Sequence, residues 1–516
     1  MHPYQHAISH PDRAAFVVAD TGERLSYREL DEGSNRVAQL CRTLGLAAGD
    51  TIALMLQNGS DFPILYWGAQ RSGLFVTLMS THLKPEEAAY ILNDCGAKLL
   101  FTSKAVGETP VALAANRSEL IPAVQCVFSA GGDVLPGADP LASALAAMPS
   151  VPVPDQIAGF YILYSSGTTG RPKGIVLPFT PQPIEDIGLN EGSTRMFEGF
   201  DPLVAFNAGP LYHGAPIGGM IATHRLGGTV VTMRRFDALE ALRAIQDWHV
   251  AHAQFVPTMF VRLLALPDEV RRGFDLSSLR FVLHAAAPCP MEIKRQMLDW
   301  WGPIIHEYYG ASENFGGTSI SPAEWLRRPG SVGRSALGPI HICREDGDEL
   351  PAREQGLIYF ESPPGRQFQY LNDPERTAGA RHPAHPTWIS VGDIGWIDED
   401  GYLYLTDRKD FMIISGGVNI YPQAVENTLI SHPRVLDAAV IGVPDAEYGE
   451  RVLALVQPRC WDEAGDALSD ELMTWCRRQI SSVSCPRSIR FVSELPRLPS
   501  GKLAKHQLRK LYATTI

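Results

Sequence analysis

The sequence predicts an α/β fold in two parts: a large N-terminal domain of mixed, largely parallel βα units and a small α+β C-terminal domain. In the first part, short apolar segments with strand character alternate with amphipathic helical segments, an order typical of parallel sheets covered by helices. One strand, Phe160–Tyr164, runs directly into a glycine-rich loop, where α/β sheets usually bind ligands. The charged residues 407–410 interrupt the pattern, and a new apolar segment follows them. This break sets the predicted boundary between domains 1–408 and 409–516.

The first elements follow from capping and periodicity. Ser26 and Glu29 form a capping-box pattern ahead of apolar residues at helical spacing, which predicts a helix within residues 25–48. The next predicted elements are a strand, a helix, a strand and a helix–strand unit, at residues 50–58, 62–71, 73–80 and 83–103. The Ala/Pro-rich segment 134–154 is expected to be a loop or linker. All these elements are expected to supply core and no chemistry.

Composition excludes several classes of function. The 516 residues are 45% hydrophobic and 20% charged, and the formal net charge of −12 argues against a nucleic-acid binder with a basic surface. The N-terminus lacks the features of a secretory signal, and no run of eighteen apolar residues predicts a transmembrane segment. Eight cysteines without a CxxC pair indicate reduced thiols and neither a zinc site nor a disulfide framework. We therefore expect a cytoplasmic enzyme that acts on small molecules.

The segment YSSGTTGRPKG, Tyr164–Gly174, combines glycines, hydroxyl groups and two cations around one turn. Glycines let backbone N–H groups approach an anion closely, and the hydroxyl groups donate further hydrogen bonds, so the segment has the chemistry of a phosphate cradle. A glycine-rich loop taken alone is more often an ordinary turn. The pattern also differs from a Walker A loop, because Pro172 replaces the second glycine and Gly174 follows Lys173 in place of Ser or Thr.

Three later segments are candidates for the walls of a ligand site. Residues 206–220, FNAGPLYHGAPIGGM, contain four glycines and His213. Taken alone, His213 is as compatible with an ordinary buried or surface histidine as with a pocket residue. Residues 279–290 and 304–314 each predict a strand that runs into a loop. Small residues after the first strand leave room for a flat ring, and a tyrosine at the end of the second is able to stack on that ring. Taken alone, both segments are simple strand-to-loop turns.

The last third of the chain contains a hairpin and a small separate unit. Residues 388–426 predict a strand, an acidic turn containing Asp393 and a hairpin through Asp400-Gly401. Strands are predicted near 438–443, 451–458 and 488–493, and a helix near 472–480. Lys502 follows Pro499-Ser500-Gly501 on a predicted loop. Taken alone, Asp393 is a turn residue and Lys502 a solvated charge.

Six of these motifs stand in the order found in the adenylate-forming superfamily, which contains acyl-CoA synthetases, peptide-synthetase adenylation domains and luciferases. The chain most resembles fatty-acyl and related acyl-CoA ligases. The resemblance implies an N-terminal domain that binds ATP and the acid, and a mobile C-terminal domain that carries the catalytic lysine, Lys502. Thr169 and Glu313 are the other implied catalytic residues, and Glu313 is also the implied Mg²⁺ ligand. Asp410 is the implied hinge, and Gly416 and Gly417 line the implied coenzyme A channel.

The resemblance also implies two larger sets of site residues. The implied ATP- and AMP-binding residues are Ser165, Ser166, Gly167, Thr168, Thr169, Gly170, Lys173, Ala286, Ala287, Pro288, Glu307, Tyr308, Tyr309, Gly310, Ala311, Ser312, Asp393 and Arg408. The implied acyl-pocket residues are Tyr212, His213, Gly214, Phe255, His284 and Ala285. Within the first set, Asp393 would accept hydrogen bonds from the ribose hydroxyls, a role that suits a side chain with acceptors only.

The implied reaction is the ATP-dependent ligation of an acid to the thiol of coenzyme A. A carboxylate oxygen attacks the α-phosphate of ATP, pyrophosphate leaves, and the resulting acyl-adenylate is then converted to a thioester. The pocket segment has no acidic residue to receive a substrate ammonium group, which favours a hydrophobic or aromatic monocarboxylic acid.

Several alternatives stay open from the sequence. One is a stand-alone adenylation enzyme that loads a carrier protein, and another is a luciferase-like oxidation of the adenylate. A third is a nucleotide-binding paralogue without turnover, against which Lys502, Glu313 and Asp393 argue. The expected partners are the acid, ATP and coenzyme A with no nucleic acid, and the oligomeric state is left open, with a homodimer as one outcome.

Overall fold

The structure, a computed structural model, describes residues 1–165, 171–186, 188, 191–335, 337–363, 367–445, 447–497 and 502–512. The chain forms two compact units. The first comprises residues 1–255, 266–283 and 365–377, and the second comprises residues 256–265, 284–364 and 378–516. Residues 409–516 therefore share a unit with residues 284–364, and the boundary at 408/409 stays a prediction.

Helices and strands alternate along residues 1–255. The helices are α1 Pro3–Ser9, α2 Tyr27–Thr43, α3 Asp61–Gln70, α4 Pro85–Asp94, α5 Glu108–Ala115, α6 Arg117–Leu120, α7 Leu141–Ala146, α8 Glu191–Arg195, α9 Gly214–Arg225 and α10 Ala238–Asp247. The strands are β1 Ala14–Val18, β2 Glu23–Ser26, β3 Thr51–Met55, β4 Phe75–Leu78, β5 Ala97–Thr102, β6 Cys126–Ser129, β7 Asp139–Pro140, β8 Phe160–Ser165, β9 Lys173–Val176, β10 Val204–Asn207, β11 Thr229–Thr232 and β12 His252–Phe255.

Strands outnumber helices in the rest of the chain. The helices are α11 Pro257–Leu264, α12 Asp268–Arg271, α13 Met291–Trp301, α14 Pro322–Arg327, α15 Pro374–Gly379, α16 Pro422–Ile430, α17 Asp466–Gln479 and α18 Lys505–Tyr512. The strands are β13 Phe281–His284, β14 Ile305–Gly310, β15 Gly317–Ile320, β16 Ser331–Ser335, β17 Ile340–Cys343, β18 Gly356–Glu361, β19 Gln369–Tyr370, β20 Trp388–Ile389, β21 Asp393–Ile397, β22 Leu403–Arg408, β23 Ile413–Ser415, β24 Val418–Ile420, β25 Val435–Asp445, β26 Gly449–Pro458 and β27 Ser488–Phe491. Short 3₁₀ turns lie at Lys104–Val106, Lys409–Phe411 and Trp461–Glu463.

The first unit contains an eight-stranded sheet in the order β19-β9-β8-β4-β3-β5-β6-β7. From β8 to β7 all neighbours run parallel, and only β9 and β19 pair in antiparallel fashion. A second set of parallel pairs joins β1 to β11, and β10 to β11 and β12. The expectation of a largely parallel sheet with interleaved helices is confirmed for this unit.

Local sequence signals explain several of these elements. The Ser26 hydroxyl accepts the N–H of Glu29, and the Glu29 carboxylate accepts the N–H of Ser26, so the predicted capping box opens α2. Helix α2 then buries the apolar face that its periodicity indicates, including Leu30 and Val37. The expectation for residues 134–154 was wrong in part, because β7 and α7 form within this segment; its alanines are good helix formers.

The second unit begins with an antiparallel sheet. Its strands follow the order β14-β15-β16-β22-β21-β18-β17, and β20 pairs with β18. The predicted hairpin through Asp400-Gly401 is confirmed as β21 and β22, where the rings of Trp396 and Tyr404 stack at 4.1 Å. Cross-strand aromatic pairs of this kind stabilise register.

Residues from 413 onward form a five-stranded sheet in the order β24-β23-β26-β25, with β27 parallel to β26. The predicted strands at 438–443, 451–458 and 488–493 are confirmed in β25, β26 and β27, and the predicted helix near 472–480 is the C-terminal half of α17. A buried apolar cluster that includes Val425, Val440 and Leu472 joins α16 and α17 to this sheet.

Candidate active site

Three side chains predicted to bind the nucleotide meet at the ends of β14, β21 and β22. The hydroxyl of Tyr309 donates to Oδ2 of Asp393 at 2.5 Å, and Nε of Arg408 donates to Oδ1 of Asp393 at 3.0 Å. Asp393 and Arg408 are direct partners in the β21–β22 register, so the hairpin itself sets this contact. Burial and then Asp393 raise the pKa of Tyr309, and Asp393 raises the pKa of Arg408. Tyr309 is therefore a neutral donor and Arg408 a cation.

Lys502 lies among charged groups of the same cluster. Desolvation, followed by Arg408, lowers the pKa of Lys502, whereas Asp393 and Glu313 act in the opposite direction. The residue as a whole is exposed. Glu313 is buried. The charge of this C-terminal lysine thus interacts with carboxylates supplied by residues about one hundred to two hundred positions earlier.

The segment after β13 has an unusual backbone. Ala286 adopts a φ of +76°, a left-handed conformation that residues with a Cβ seldom occupy. Ala285 is buried, whereas Ala286 and Pro288 are exposed and Ala287 is half-buried. Strained residues of this kind are found where a loop must present its backbone to a ligand. This geometry suits the predicted adenine-side loop of small residues.

Residues 308–312 extend from β14 into the following loop. Alternation along β14 places Tyr308 on the opposite face from Tyr309, which contacts Asp393. Gly310 and Ser312 are exposed, and Ala311 is half-buried. Tyr308–Gly310 pair with β15, the carbonyl of Ala311 accepts the N–H of Asn314 at 3.0 Å, and the hydroxyl of Tyr309 contacts Asp393.

Glu307 is a buried residue of β14, and its carboxylate is already paired with a lysine. Its carboxylate accepts a hydrogen bond from Nζ of Lys294 on α13, and the Lys294 ammonium lies 4.9 Å from the centre of the Trp325 ring. Burial raises the pKa of Glu307, and Lys294 opposes that shift. Its carboxylate is thus engaged within the protein, and its role in nucleotide binding stays a prediction.

His284 adjoins the same pair. Its Nε2 lies 3.5 Å from the Glu307 carboxylate, its ring lies 5.4 Å from that of Phe260, and it is fully buried. Burial, followed by Lys294, lowers the pKa of His284 well below its usual value, so the ring is neutral. Lys294 was not among the residues predicted to belong to the site. The sequence feature that points to Lys294 is a cation on the apolar face of α13, between Ile293 and Met297. A lysine is rarely placed on such a face without a partner.

The predicted phosphate loop connects two antiparallel strands. Ser165 at the end of β8 lies opposite Lys173 at the start of β9, and residues 166–170 between them, which include Ser166, Gly167, Thr168, Thr169 and Gly170, lie outside the described residues. Nζ of Lys173 lies 5.1 Å from the centre of the Tyr370 ring. The Tyr164 hydroxyl donates to Asp94 at 2.6 Å, and a Cβ on Gly174 would come within 2.8 Å of the Tyr164 ring. Gly174 is thus required for packing.

The predicted acyl-pocket residues fall in both units. In the first, Tyr212 is buried and its hydroxyl accepts a hydrogen bond from Thr81 at 3.4 Å, and His213 precedes α9. A Cβ on Gly214 would lie 3.1 Å from Leu163 on β8, so this glycine allows α9 to start close to the strand that leads to the phosphate loop. Phe255 is buried on β12. His284 and Ala285 belong to the second unit.

The predicted hinge and coenzyme A channel lie on neighbouring turns. Asp410 is the middle residue of the 3₁₀ turn Lys409–Phe411. Gly416 and Gly417 form the two-residue turn between β23 and β24, with φ values of +57° and +79°. Two successive positive φ values in a tight hairpin favour glycine strongly. The hairpin therefore explains both glycines, and their role in a channel stays a prediction.

Comparison with known proteins identifies the family of this chain. Residues 4–366 match the AMP-binding enzyme family, and residues 424–502 match the AMP-binding enzyme C-terminal domain. The chain is 30% identical over 512 residues to the long-chain-fatty-acid–CoA ligase FadD13 of Mycobacterium tuberculosis, covering 99% of this chain and 98% of the relative. It is 32% identical over 502 residues to a feruloyl-CoA synthase from an Amycolatopsis species, covering 96% of each.

Solved structures show the same fold. The anthranilate CoA ligase AuaEII in complex with anthranoyl-AMP matches with a TM-score of 0.83 at 25% identity, over 99% of this chain and 96% of that chain. Fold and site together define an adenylate-forming enzyme. With family matches over most of its length, the chain belongs to the AMP-binding enzyme family.

The chain is an AMP-forming acyl-CoA synthetase. It activates a carboxylic acid as acyl-AMP at the expense of ATP and transfers the acyl group to coenzyme A, with the alternation of domain arrangements that is typical of its superfamily. In the described part of the chain, no helix has both the length and the apolar character needed to cross a membrane.

Proposed function

We propose that the acid is a hydrophobic or aromatic monocarboxylate. The observation that carries this proposal is the segment from Asn207 to Ala222, which contains no acidic residue and no basic residue other than His213. Helix α9, Gly214–Arg225, begins in this segment and is buried from Pro216 onward, and its arginine, Arg225, donates to the backbone carbonyls of Ile184 and Glu185. A substrate ammonium or second carboxylate near this segment would lack a charged partner, and burying such a group unpaired is costly.

We assign the adenylation chemistry to Lys502. A carboxylate oxygen forms a bond to the α-phosphorus of ATP while the bond to pyrophosphate breaks, so negative charge is concentrated where two anions meet. A cation close to Asp393 and Glu313 is placed to neutralise that charge. Asp393 already accepts one hydrogen bond on each oxygen, and each oxygen has a lone pair left for a ribose hydroxyl. Thr169 and its neighbours in the loop would contact the phosphates.

The residues present fit a magnesium ion that arrives with the nucleotide. Among the described residues, no group of three or more His, Cys, Asp or Glu side chains is arranged to hold a metal ion alone. Mg²⁺ commonly takes one or two carboxylates and completes its shell with phosphate oxygens and water. Glu313 would supply the carboxylate, and the ion would neutralise phosphate charge.

Thiolation requires a second arrangement, because a lysine in the adenylation position blocks the approach of the thiol. We propose that the C-terminal domain, residues 409–516, rotates about Asp410 and that Gly416 and Gly417 line the pantetheine path. In this second arrangement the sulfur of coenzyme A attacks the acyl carbon, the bond to AMP breaks, and AMP leaves.

We propose that the enzyme is cytoplasmic. A homodimer is the oligomeric state to be tested. The eight cysteines are free thiols, which fits a reducing compartment. Sedimentation velocity at two protein concentrations would distinguish a monomer from a dimer, and cell fractionation would test the location.

Pyrophosphate release with a panel of acids tests the proposed substrate class. The panel contains fatty, arylalkanoic, cinnamic-type and cyclic terpenoid or steroid side-chain acids, with amino acids and dicarboxylates as polar controls. Release with apolar acids and not with the polar controls would support the proposal. Preference for a polar acid would contradict the substrate class, and no release with any acid would contradict the enzyme. Oxygen uptake during turnover would reveal a luciferase-like reaction.

The acyl acceptor and the role of Lys502 are tested with the acid that gives the fastest pyrophosphate release. Thioester formation with free coenzyme A, compared with a holo-carrier protein, decides the acceptor. Lys502→Ala should slow adenylation by roughly 10² to 10³-fold while leaving thiolation of supplied acyl-adenylate largely intact. Lys510→Ala, on the exposed face of α18, is the control and should retain both half-reactions. Equal loss of both half-reactions in Lys502→Ala would contradict its assigned role.

A further inference from the structure

Helix α18 begins three residues after Lys502 and contacts the turn that contains Asp410. The guanidinium of Arg509 donates through Nη1 to the backbone carbonyl of Asp410 at 3.0 Å and through Nη2 to that of Phe411 at 3.2 Å. These partners are about one hundred residues apart in the sequence. The planar guanidinium fork therefore spans two successive carbonyl groups of one 3₁₀ turn, a geometry that the single ammonium of lysine does not reproduce.

The first turn of α18 is attached to the body of the C-terminal domain. Lys505 is buried, and its Nζ lies 2.8 Å from the Glu426 carboxylate and 5.4 Å from the centre of the Phe411 ring. The same Glu426 accepts the N–H of Val440 at 2.7 Å, so the pair is joined to β25. A buried and hydrogen-bonded ion pair holds its two elements in one geometry, because separating them would leave a charge buried alone.

The other end of the Lys502 loop is held as well. Arg497 forms a forked ion pair with the carboxylate of Asp437 on β25, with distances of 2.7 to 2.9 Å. Arg497 also pairs with Leu503 in a short antiparallel bridge. Described residues on both sides of Lys502, Arg497 before it and Lys505 after it, are thus attached to the same domain.

The two carbonyl groups that Arg509 binds both lie on the C-terminal side of the rotatable backbone bonds of Asp410. Rotation about φ and ψ of Asp410 moves everything beyond its Cα–C bond, including its own carbonyl and that of Phe411. Arg509 lies later in the chain, so it is on the same side of the N–Cα and Cα–C bonds of Asp410 as the two carbonyl groups. Its hydrogen bonds therefore need not break when the domain turns, and they attach the first peptide unit after the hinge to the helix that follows Lys502.

We propose that Arg509 is a positioning residue that makes the hinge turn and helix α18, which begins three residues after Lys502, one rigid body. The dihedral change is thereby confined to Asp410, and a rotation there moves Lys502 by a defined path. Without this contact, residues 410–412 would share the rotation, and Lys502 would occupy a wider range of positions. The inference rests on the proposed roles of Asp410 and Lys502.

The test combines the mobility of the hinge with the two half-reactions. In Arg509→Gln, amide hydrogen exchange in residues 409–413 should accelerate about tenfold, because the turn loses both hydrogen bonds to α18. Adenylation turnover should fall about tenfold with the KM for the acid little changed, since a misplaced catalytic group affects the rate and not substrate binding. Arg509→Lys should recover part of both effects, because one ammonium reaches one carbonyl.

Lys510→Gln is the matched control, since it removes one cation from the exposed face of the same helix. It should change neither hydrogen exchange nor turnover. The inference is overturned if Arg509→Gln leaves exchange at 409–413 unchanged, or if exchange accelerates while adenylation and thiolation proceed as in the unaltered protein. Pyrophosphate release by the unaltered protein is measured in the same series. Its absence would contradict the proposed function, whereas its presence with an unaffected Arg509→Gln variant would contradict this inference alone.

Discussion

Asp393 illustrates what single residues contribute to this site. Its two oxygens are oriented by Tyr309 from β14 and Arg408 from β22, so the carboxylate is held before any nucleotide arrives. A group that is already oriented loses little freedom on binding, which improves affinity and rate. The resemblance to the adenylate-forming superfamily implied a ribose ligand for Asp393, and the two fixed contacts would suit that predicted role.

His224 on α9 contributes to the stability of the fold. Its Nδ1 accepts the indole N–H of Trp67 at 3.0 Å, which requires the proton on Nε2, and Nε2 donates to the carbonyl of Ala15 at 3.0 Å. Both ring nitrogens are satisfied only in the neutral form. Burial lowers the pKa of His224 to about 4, with a smaller contribution of the same sign from His6.

Stability should therefore fall on acidification because of His224. A histidine whose folded pKa is depressed contributes its stability above its unfolded pKa, near 6.5, and loses it as the pH falls toward the folded pKa near 4. The pKa difference corresponds to about 3 kcal/mol lost across that window. The thermal midpoint, measured from pH 7.5 to 4, checks this. His224→Gln should lower the midpoint at pH 7.5 but flatten its pH dependence, whereas His82→Gln at an exposed position should not. An unchanged slope in His224→Gln would contradict the assignment.

At the scale of elements, α13 supports the strand that carries Tyr309. Lys294 comes from the buried face of α13 and binds Glu307, two residues before Tyr309 on β14. This contact fixes β14 against α13. Helix α13, which was not predicted from the sequence, thus holds a strand of the site through a charge.

Lys294→Met should be strongly destabilising, because it leaves the Glu307 carboxylate buried without its cation. The expected loss is about 3 to 5 kcal/mol. Without Lys294 the folded pKa of Glu307 lies further above its unfolded value, so the loss should be greater at pH 8 than at pH 5. Thermal unfolding and ATP affinity are the measurements.

The double variant Lys294→Met/Glu307→Leu separates charge from packing. It should recover most of the stability, because no charge stays buried. Arg295→Met on the exposed side of α13 is the control. If the double variant were as unstable as Lys294→Met, the ion pair would not be the cause.

At the scale of the whole molecule, the reaction requires two arrangements of one chain. In the arrangement seen here, Lys502 lies among Arg408, Asp393 and Glu313, which suits adenylation. Under the proposed function, Lys502 leaves this position before thiolation. The proposed hinge at Asp410 follows directly after Arg408 and Lys409, so a dihedral change there would separate the groups of the site from the domain that carries Lys502.

Asp410→Pro should retain adenylation within about tenfold and abolish thiolation. Proline fixes φ near −65°, so the dihedral change that rotates the domain is prevented. Separate assays of pyrophosphate release and of thioester formation from supplied acyl-adenylate measure the two steps. Asp410→Ala, which removes the carboxylate and leaves φ free, should support both. If Asp410→Pro slowed only adenylation, the hinge would lie elsewhere.

Much of this architecture follows from local sequence. The capping box of α2, the alternation of strands and helices in the first unit and the β21–β22 hairpin depend on neighbouring residues, and all three are confirmed. Helix α7 was missed because a short Ala/Pro-rich segment has weak periodicity. The family and the reaction class were also predictable, because their motifs keep their order along the chain.

The contacts that assemble the site were decided only by tertiary structure. Nothing in the spacing of Lys294 and Glu307, of Tyr309 and Asp393, or of Arg509 and the carbonyl of Asp410 indicates that they touch. Periodicity describes a face of an element, but the partner of that face depends on how distant segments pack. The sequence alone thus determined which chemical groups this enzyme has. The fold decided which of them are buried, paired and held in place, because burial and distance set the strength of a charge interaction.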